Sequence, residues 1–310
     1  PRRSRAELFD RVAATAASPL DGLMAASHRA AGLSANPLAA PAVRLRRLYF
    51  DVIGLPPPEA VVRRFLADPS PQAYADAVER LLQDPGFGER WGRRWLDLAR
   101  YADTNGADEN MAHPHAWRYR DYVIESFNAD KPYDQFLKEQ LAGDLLPDPR
   151  DEARLSAQWI ATGFLALGPK MLAEQDKEKM VYDIVDEQLS VVSRTFLGLS
   201  MECARCHDHK FDPITQEDYT ALAGVFYSTK TMAHTNHVSR WVERALPTRA
   251  NARARAAHEA AVGEARARVA TLESDVKACE PDAPSEALSA ARVALATLEN
   301  EGASLDWAMG

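Results

Sequence analysis

Two thiols and two imidazoles fall within seven residues of the chain, as Cys203, Cys206, His207 and His209 in the stretch CARCHDHKFDPI. Cys-x-x-Cys-His is the spacing that attaches a c-type haem. Each thiol adds across one vinyl group, and one helical turn separates the two sulfurs by about the spacing of those vinyls. The histidine that follows becomes the proximal ligand of the iron. Cys203 and Cys206 are then the anchors and His207 the axial ligand. Two other chemistries remain open. Zinc needs about four ligands, usually supplied as two such pairs, and no second cysteine pair exists here. A redox dithiol normally follows a strand in a βαβ unit, whereas the residues before Cys203 are patterned as a helix. Haem is the favoured reading, with zinc and dithiol as its rivals.

The elements that must position this group are helical. In EKMVYDIVDEQLSVVSRTFLGLS, Val181, Ile184, Val185, Leu189, Val192 and Phe196 line one face of a long helix that runs toward Cys203. AYADAVERLLQD places Tyr74, Val78, Leu81 and Leu82 on one face, and YDQFLKEQLAG does the same with Tyr133, Phe136, Leu137 and Leu141. Prolines at 55–58, 68–71, 84–85, 146–149 and 168–169 mark the joints. Alternation of period two is scarce. The expected fold is all-α: a helical arm over 1–39, an irregular helical domain over 40–245, and a C-terminal antiparallel coiled-coil hairpin over 246–304. Val262, Val269 and Val276 recur every seven residues, with Ala265, Leu272 and Cys279 three further on. PDAPSE then breaks the helix, Ser285 is a suitable N-cap, and Leu288, Ala291, Leu295 and Leu298 form the returning seam. Cys279 reads as a small apolar seam residue.

Composition sets outer limits. The chain has 310 residues, 46% of them hydrophobic and 26% charged, with a formal net charge of −8. That balance suits a globular domain with a sizeable core. The acidic excess argues against nucleic acid as a partner. No apolar run reaches the length of a membrane span. Three cysteines do not make a disulfide framework. DTNGADEN, Asp103 to Asn110, has calcium-loop chemistry without calcium-loop spacing and reads as a turn with an exposed acidic tip.

Five blocks in order, RRLYFDVIGLPP, GERWGRRWLDLARYADTNG, HAWRYRDYVIESFNADKPYDQFLKEQLAGDLLPD, ATGFLALGPK and CARCHDHKFDPITQEDYTALAGVFYSTKTM, resemble the planctomycetal cytochrome c-like proteins. The likeness is to the second of that family's two cytochrome-like domain types and covers about residues 40 to 245. It implies a haem c and therefore export to the periplasm or beyond. It also implies a downstream domain of unknown function after a coiled-coil spacer, so that residues 305–310 would begin a linker and the chain would be a fragment. His115, in one of the matching blocks, is the preferred sixth ligand. Its alternative role is to cap the helix that starts near Ala116. His113, His234, His237, Met171 and Met180 are the other candidates, with His234 and His237 expected at the surface. Haem propionates need cationic partners, for which Arg118, Arg120 and Arg194 are candidates. Arg205, inside the motif, is expected to be solvated. Trp95 and Trp117 either wall a haem or belong to the core.

The leading function is thus an electron-transfer module that exchanges electrons with a downstream domain or a redox partner protein. The alternatives are a haem-dependent oxidoreductase acting on an unknown substrate, with a carbohydrate as one candidate, and a non-redox zinc or interaction domain.

Overall fold

The computed structural model describes residues 19–279, 286–301, 305 and 307–309. The first 18 residues of the expected arm, Ser285 and the side chain of Cys279 lie outside what it describes. The chain forms two compact units. One takes the described residues up to Asp51 together with Leu55–Glu79, and the other takes Val52–Gly54 and the described residues from Arg80 onward.

The first unit is built from α1 (Pro19–Ala30), α2 (Pro41–Val52), α3 (Glu59–Ala67) and the start of α4 (Pro71–Leu82). Proline opens three of these helices, at the position where its missing N–H has no intrahelical partner to lose. Phe65 is buried with its ring 6.3 Å from Tyr74, and the Arg44 guanidinium lies over the same tyrosine.

The second unit carries α5 (Gly86–Leu98), α6 (Ala116–Asn128), α7 (Tyr133–Ala142), α8 (Glu152–Ala161), α9 (Gly163–Ala166), α10 (Lys177–Val192) and α11 (Gln216–Tyr227). Helices α5 and α6 pack closely because glycine allows it. A Cβ on Gly88 would stand 2.4 Å from the carbonyl oxygen of Ile124, and the Gly88 N–H donates to Asn128 Oδ1 at 2.8 Å. Trp95, Tyr119, Tyr122, Phe136 and Phe164 form the aromatic centre of the core. Its polar atoms are satisfied in a chain: Trp95 Nε1 donates to Tyr119 Oη, which donates to Gln140 Oε1. Tyr122 Oη and Lys131 Nζ both donate to Glu139, which is buried.

Strand content is small, as the scarcity of period two implies. β1 (Met232–His234) pairs antiparallel with β2 (Arg240–Trp241), and β3 (Glu243–Ala245) with β4 (Trp307–Met309). Residues 307–309, expected as the start of a linker, thus complete a two-stranded ribbon, and Ala308 is buried there.

Between β3 and β4 runs the hairpin of α12 (Arg249–Cys279) and α13 (Glu286–Glu301). Val262, Ala265, Val269, Leu272 and Val276 are all at least partly buried along α12, as are Leu288, Ala291, Leu295 and Leu298 along α13. Arg266 pairs with Glu299 and Arg292 with Glu273, so position rises on one helix as it falls on the other and the arms are antiparallel. The all-α expectation holds. Among the described residues no helix is long and apolar enough to cross a membrane.

Candidate functional site

Helix α10 does not run straight into the cysteines. It ends in a π-helical turn, Ser193–Leu197, closed by Gly198 at φ +67°, a left-handed conformation that glycine adopts without a Cβ penalty. The chain then reverses and makes one 3-10 turn, Glu202–Arg205. Cys203 lies within this turn and Cys206 caps it, the Cys206 N–H bonding the Cys203 carbonyl, so the two side chains leave the chain one turn apart. Both are exposed and unbridged. Ala204 between them is fully buried and fastens the opposite face to the core.

Arg205 is the correction to the sequence reading. It is not left to solvent but reaches back to α10. Its two terminal nitrogens each lie 3.1 Å from Asp183 Oδ1, and Nη1 lies 3.4 Å from Asp186 Oδ2. Asp183 and Asp186 stand three apart on one helix face, a spacing that makes a guanidinium clamp. Partial burial pushes the Asp183 carboxyl up, but Lys179 and Arg205 outweigh it and hold the group low. Tyr219 of α11 donates to Asp186 at 2.6 Å, and burial together with that bond drives its hydroxyl far above the ordinary range.

Further bonds fix the turn. Glu202 accepts from Ser190 and pairs with Arg194. Gln216 Nε2 donates to the Arg205 carbonyl, and Asp208 Oδ1 accepts from the Gln216 N–H. Thr215 and Asp218 form a reciprocal capping box that starts α11 just after the motif.

The two histidines are used differently. His207 is exposed, and its Nδ1 lies 2.8 Å from the Asp208 carbonyl oxygen. A carbonyl only accepts, so Nδ1 carries the proton and the lone pair of Nε2 is left free. His209 spends its Nδ1 accepting from the Asp212 N–H at 2.8 Å, while its backbone N–H donates to the Ile214 carbonyl. It shapes the loop. The outward face of the turn therefore offers two neighbouring thiols and one imidazole lone pair. No group of three or more His, Cys, Asp or Glu side chains is placed to hold a metal ion among the described residues.

Of the three arginines proposed for propionates, Arg194 adjoins the motif through Glu202. The other two lie on α6, Arg120 paired with Asp121 and Arg118 stacked over Trp117. His115 occupies the N-cap position of α6 with no cap bond from its side chain, and its Nε2 lies 4.0 Å from Glu243 of β3. Its interactions are with β3, whereas those of the Cys203–His209 stretch are with α10 and α11. Met180 is buried in the core, Met171 is exposed, and His234 and His237 are exposed as expected. Trp95 belongs to the core, while Trp117 is 42% exposed.

One charged cluster escaped the sequence reading. Arg100, in a left-handed conformation after α5, sends its guanidinium inward to Glu187 at 2.7 Å. Lys170 is buried beside them, donating to the carbonyls of Ala166 and Gly168, and burial lowers its amine to about 8. A Cβ on Gly168 would fall 2.1 Å from Glu187 Oε1, so glycine is required for that approach. His113 lies 4.4 Å edge-on to Trp241 with neither ring nitrogen hydrogen-bonded, and burial lowers it to about 4. DTNGADEN organises this region. Asn105 is buried and bridges Met111 to the Lys170 carbonyl, and the exposed Asp108 receives the N–H groups of Leu172 and Ala173. The one sequence signal near this cluster is the dense polar stretch DTNGADEN, and no spacing joins it to Arg100, Lys170 or Glu187.

Residues 19–231 match the sequence profile of PSCyt2, a protein family of unknown function (DUF1549), and the chain belongs to that family. No curated protein and no solved structure matches it.

Proposed function

We propose that this chain is a c-type haem-binding electron-transfer module, with covalent haem on Cys203 and Cys206 and His207 as axial ligand. In this reading it is exported and relays electrons to or from a partner protein or a downstream domain. The observation that carries it is the orientation of the motif. Both thiols stand exposed at a single turn, one within it and one at its cap, and the free Nε2 of His207 belongs to the exposed ring of the next residue. The residues between the cysteines point the other way, Ala204 into the core and Arg205 into the carboxylates of α10. That donor set fits a covalently tethered haem. When bound, the haem would supply a one-electron couple. The chain's own residues would hold it: two thioethers fix its position, His207 is oriented through its Nδ1 bond to Asp208, and the Arg205 clamp keeps the turn from shifting. Arg194, beside Glu202, is the cation of the three best placed to meet a propionate. The family name, PSCyt2, agrees with a cytochrome-like reading. Export with c-haem maturation, followed by peptide mass mapping, tests the proposal: the peptide spanning Cys203–His207 should carry the haem mass, and an unmodified peptide would refute it.

A further inference from the structure

Helices α5, α6 and α7 leave a pocket where the end of α6 turns into α7. Its volume is about 420 Å³, within the range of small-molecule sites. The lining is mainly aromatic. Trp95 and Phe136, buried and packed edge to face at 4.7 Å, form the floor. Phe87 and Phe127 are partly buried sides, and Tyr133, 58% exposed, stands at the mouth. Bonds within the chain hold these walls in place. Asn128, at the end of α6, accepts from the Gly88 N–H and donates to the Pro85 carbonyl, which fastens it to the start of α5. The turn into α7 is fixed by the Lys131 N–H, which donates to the Ser126 carbonyl, and by Asp130 in a left-handed conformation at φ +48°.

The polar part of the lining narrows the class of ligand. Ser126 is 5% exposed, and its Oγ has no hydrogen-bond partner. Tyr122, whose hydroxyl lies within its electrostatic reach, already donates to Glu139. A buried hydroxyl left unpaired is costly, so one in a pocket wall points to a ligand atom that completes it. Lys131 Nζ spends one of its three protons on Glu139 at 2.5 Å, which leaves it able to donate again. Its ammonium already lies over the Tyr122 ring, so a cationic ligand would meet a like charge. The exposed Asp130 carboxylate in the lining disfavours an anion in the same way. We infer that the pocket binds a small, neutral, planar aromatic molecule whose carbonyl or phenolic oxygen accepts from Ser126 and Lys131. Aromatic walls select a flat ring over an aliphatic chain, because edge and face contacts add to the area buried. The pocket shares no residue with the Cys203–His209 stretch, so the inference stands or falls apart from the haem reading.

The test is equilibrium dialysis of the full chain against 2-naphthol, which is uncharged at pH 7. Tyr133→Glu sets a charge at the mouth of the pocket and should weaken binding about tenfold or more. Ser126→Ala removes an unpaired hydroxyl, so it should not lower Tm, yet it should weaken binding by about three- to tenfold, the worth of one hydrogen bond. Val293→Glu, at an exposed site on α13, should bind as the wild type does. Naphthalene-2-sulfonate, the same ring system with a fixed negative charge, should bind about tenfold more weakly than 2-naphthol or worse. Asp130→Asn, which suits the left-handed backbone, should narrow that difference. Thermal unfolding of each variant separates lost binding from lost fold. No saturable binding of 2-naphthol by the wild type overturns the inference. So does equal affinity in the wild type and a folded Tyr133→Glu variant, undiminished affinity in Ser126→Ala, or sulfonate binding as tight as that of the phenol.

Discussion

Acid should destabilise this protein through His113 by an amount that the structure allows to be worked out. The imidazole is 3% exposed, lies edge-on to Trp241, and has no hydrogen-bond partner at either nitrogen. Burial lowers it from 6.5 to about 4, with Lys170 adding to the effect and Asp103 opposing it. At pH 7 the ring is neutral in both folded and unfolded chains and contributes no pH dependence. As pH falls through 6.5 the unfolded chain takes up a proton that the folded chain refuses, so stability drops until the folded ring titrates near 4. A tenfold difference in proton affinity is worth about 1.4 kcal/mol, so the full loss is about 3 kcal/mol, most of it present by pH 4.5. His113→Phe keeps a ring against Trp241 and removes the titration. Urea denaturation of both proteins at pH 7 and pH 4.5 isolates the effect, because carboxylates that titrate in both cancel in the difference. The wild type should lose about 2.5 kcal/mol more than the variant over this interval. Equal losses would refute the reasoning, as would a larger loss in the variant.

Other outcomes follow from the packing and the charges. Gly88→Ala drives a Cβ to 2.4 Å from a backbone oxygen and should cost about 2–3 kcal/mol, seen as a lowered Tm, without changing the exposed thiol count. Glu139→Ala leaves Lys131 and Tyr122 without their shared partner in a buried site and should cost about 3 kcal/mol or more by urea denaturation. Arg266→Ala and Arg292→Ala remove exposed pairs of the hairpin, and each should change stability by less than about 1 kcal/mol. Arg205→Met frees the turn from α10. It should raise the rate at which Cys203 and Cys206 react with a thiol reagent and lower the yield of covalent haem, while Tm falls by only a few degrees; unchanged thiol kinetics would count against the clamp.

Much of the fold could be read from periodicity. The hairpin is the clearest case, because a seven-residue repeat of valines leaves one packing solution, and the seam residues are the ones that the structure shields. The long helix before the motif was legible for the same reason. Its ending was not, since a π-helical turn and a 3-10 turn depend on how Glu202, Arg205 and Gly198 find partners in three dimensions. Cys203, Cys206 and His207 stood out because their chemistry is local. The clamp did not, because Asp183 and Asp186 look like ordinary surface residues of an amphipathic helix until Arg205 is brought to them. The cluster of Arg100, His113, Lys170 and Glu187 draws on four separate segments, and no sequence period joins those. For the arginines the same limit applies: charge alone makes Arg118, Arg120 and Arg194 equal candidates, and only Arg194 adjoins the motif.

An electron-transfer role for this chain requires that the turn accept a covalent haem. The direct measurement is a pyridine haemochrome spectrum of the denatured protein after export in a host with c-haem maturation, with the Cys203→Ser/Cys206→Ser double variant made in parallel. The wild type should give a c-type spectrum that survives denaturation, and the variant should give none. A folded wild-type protein with no haemochrome, or the same spectrum from both proteins, would contradict it.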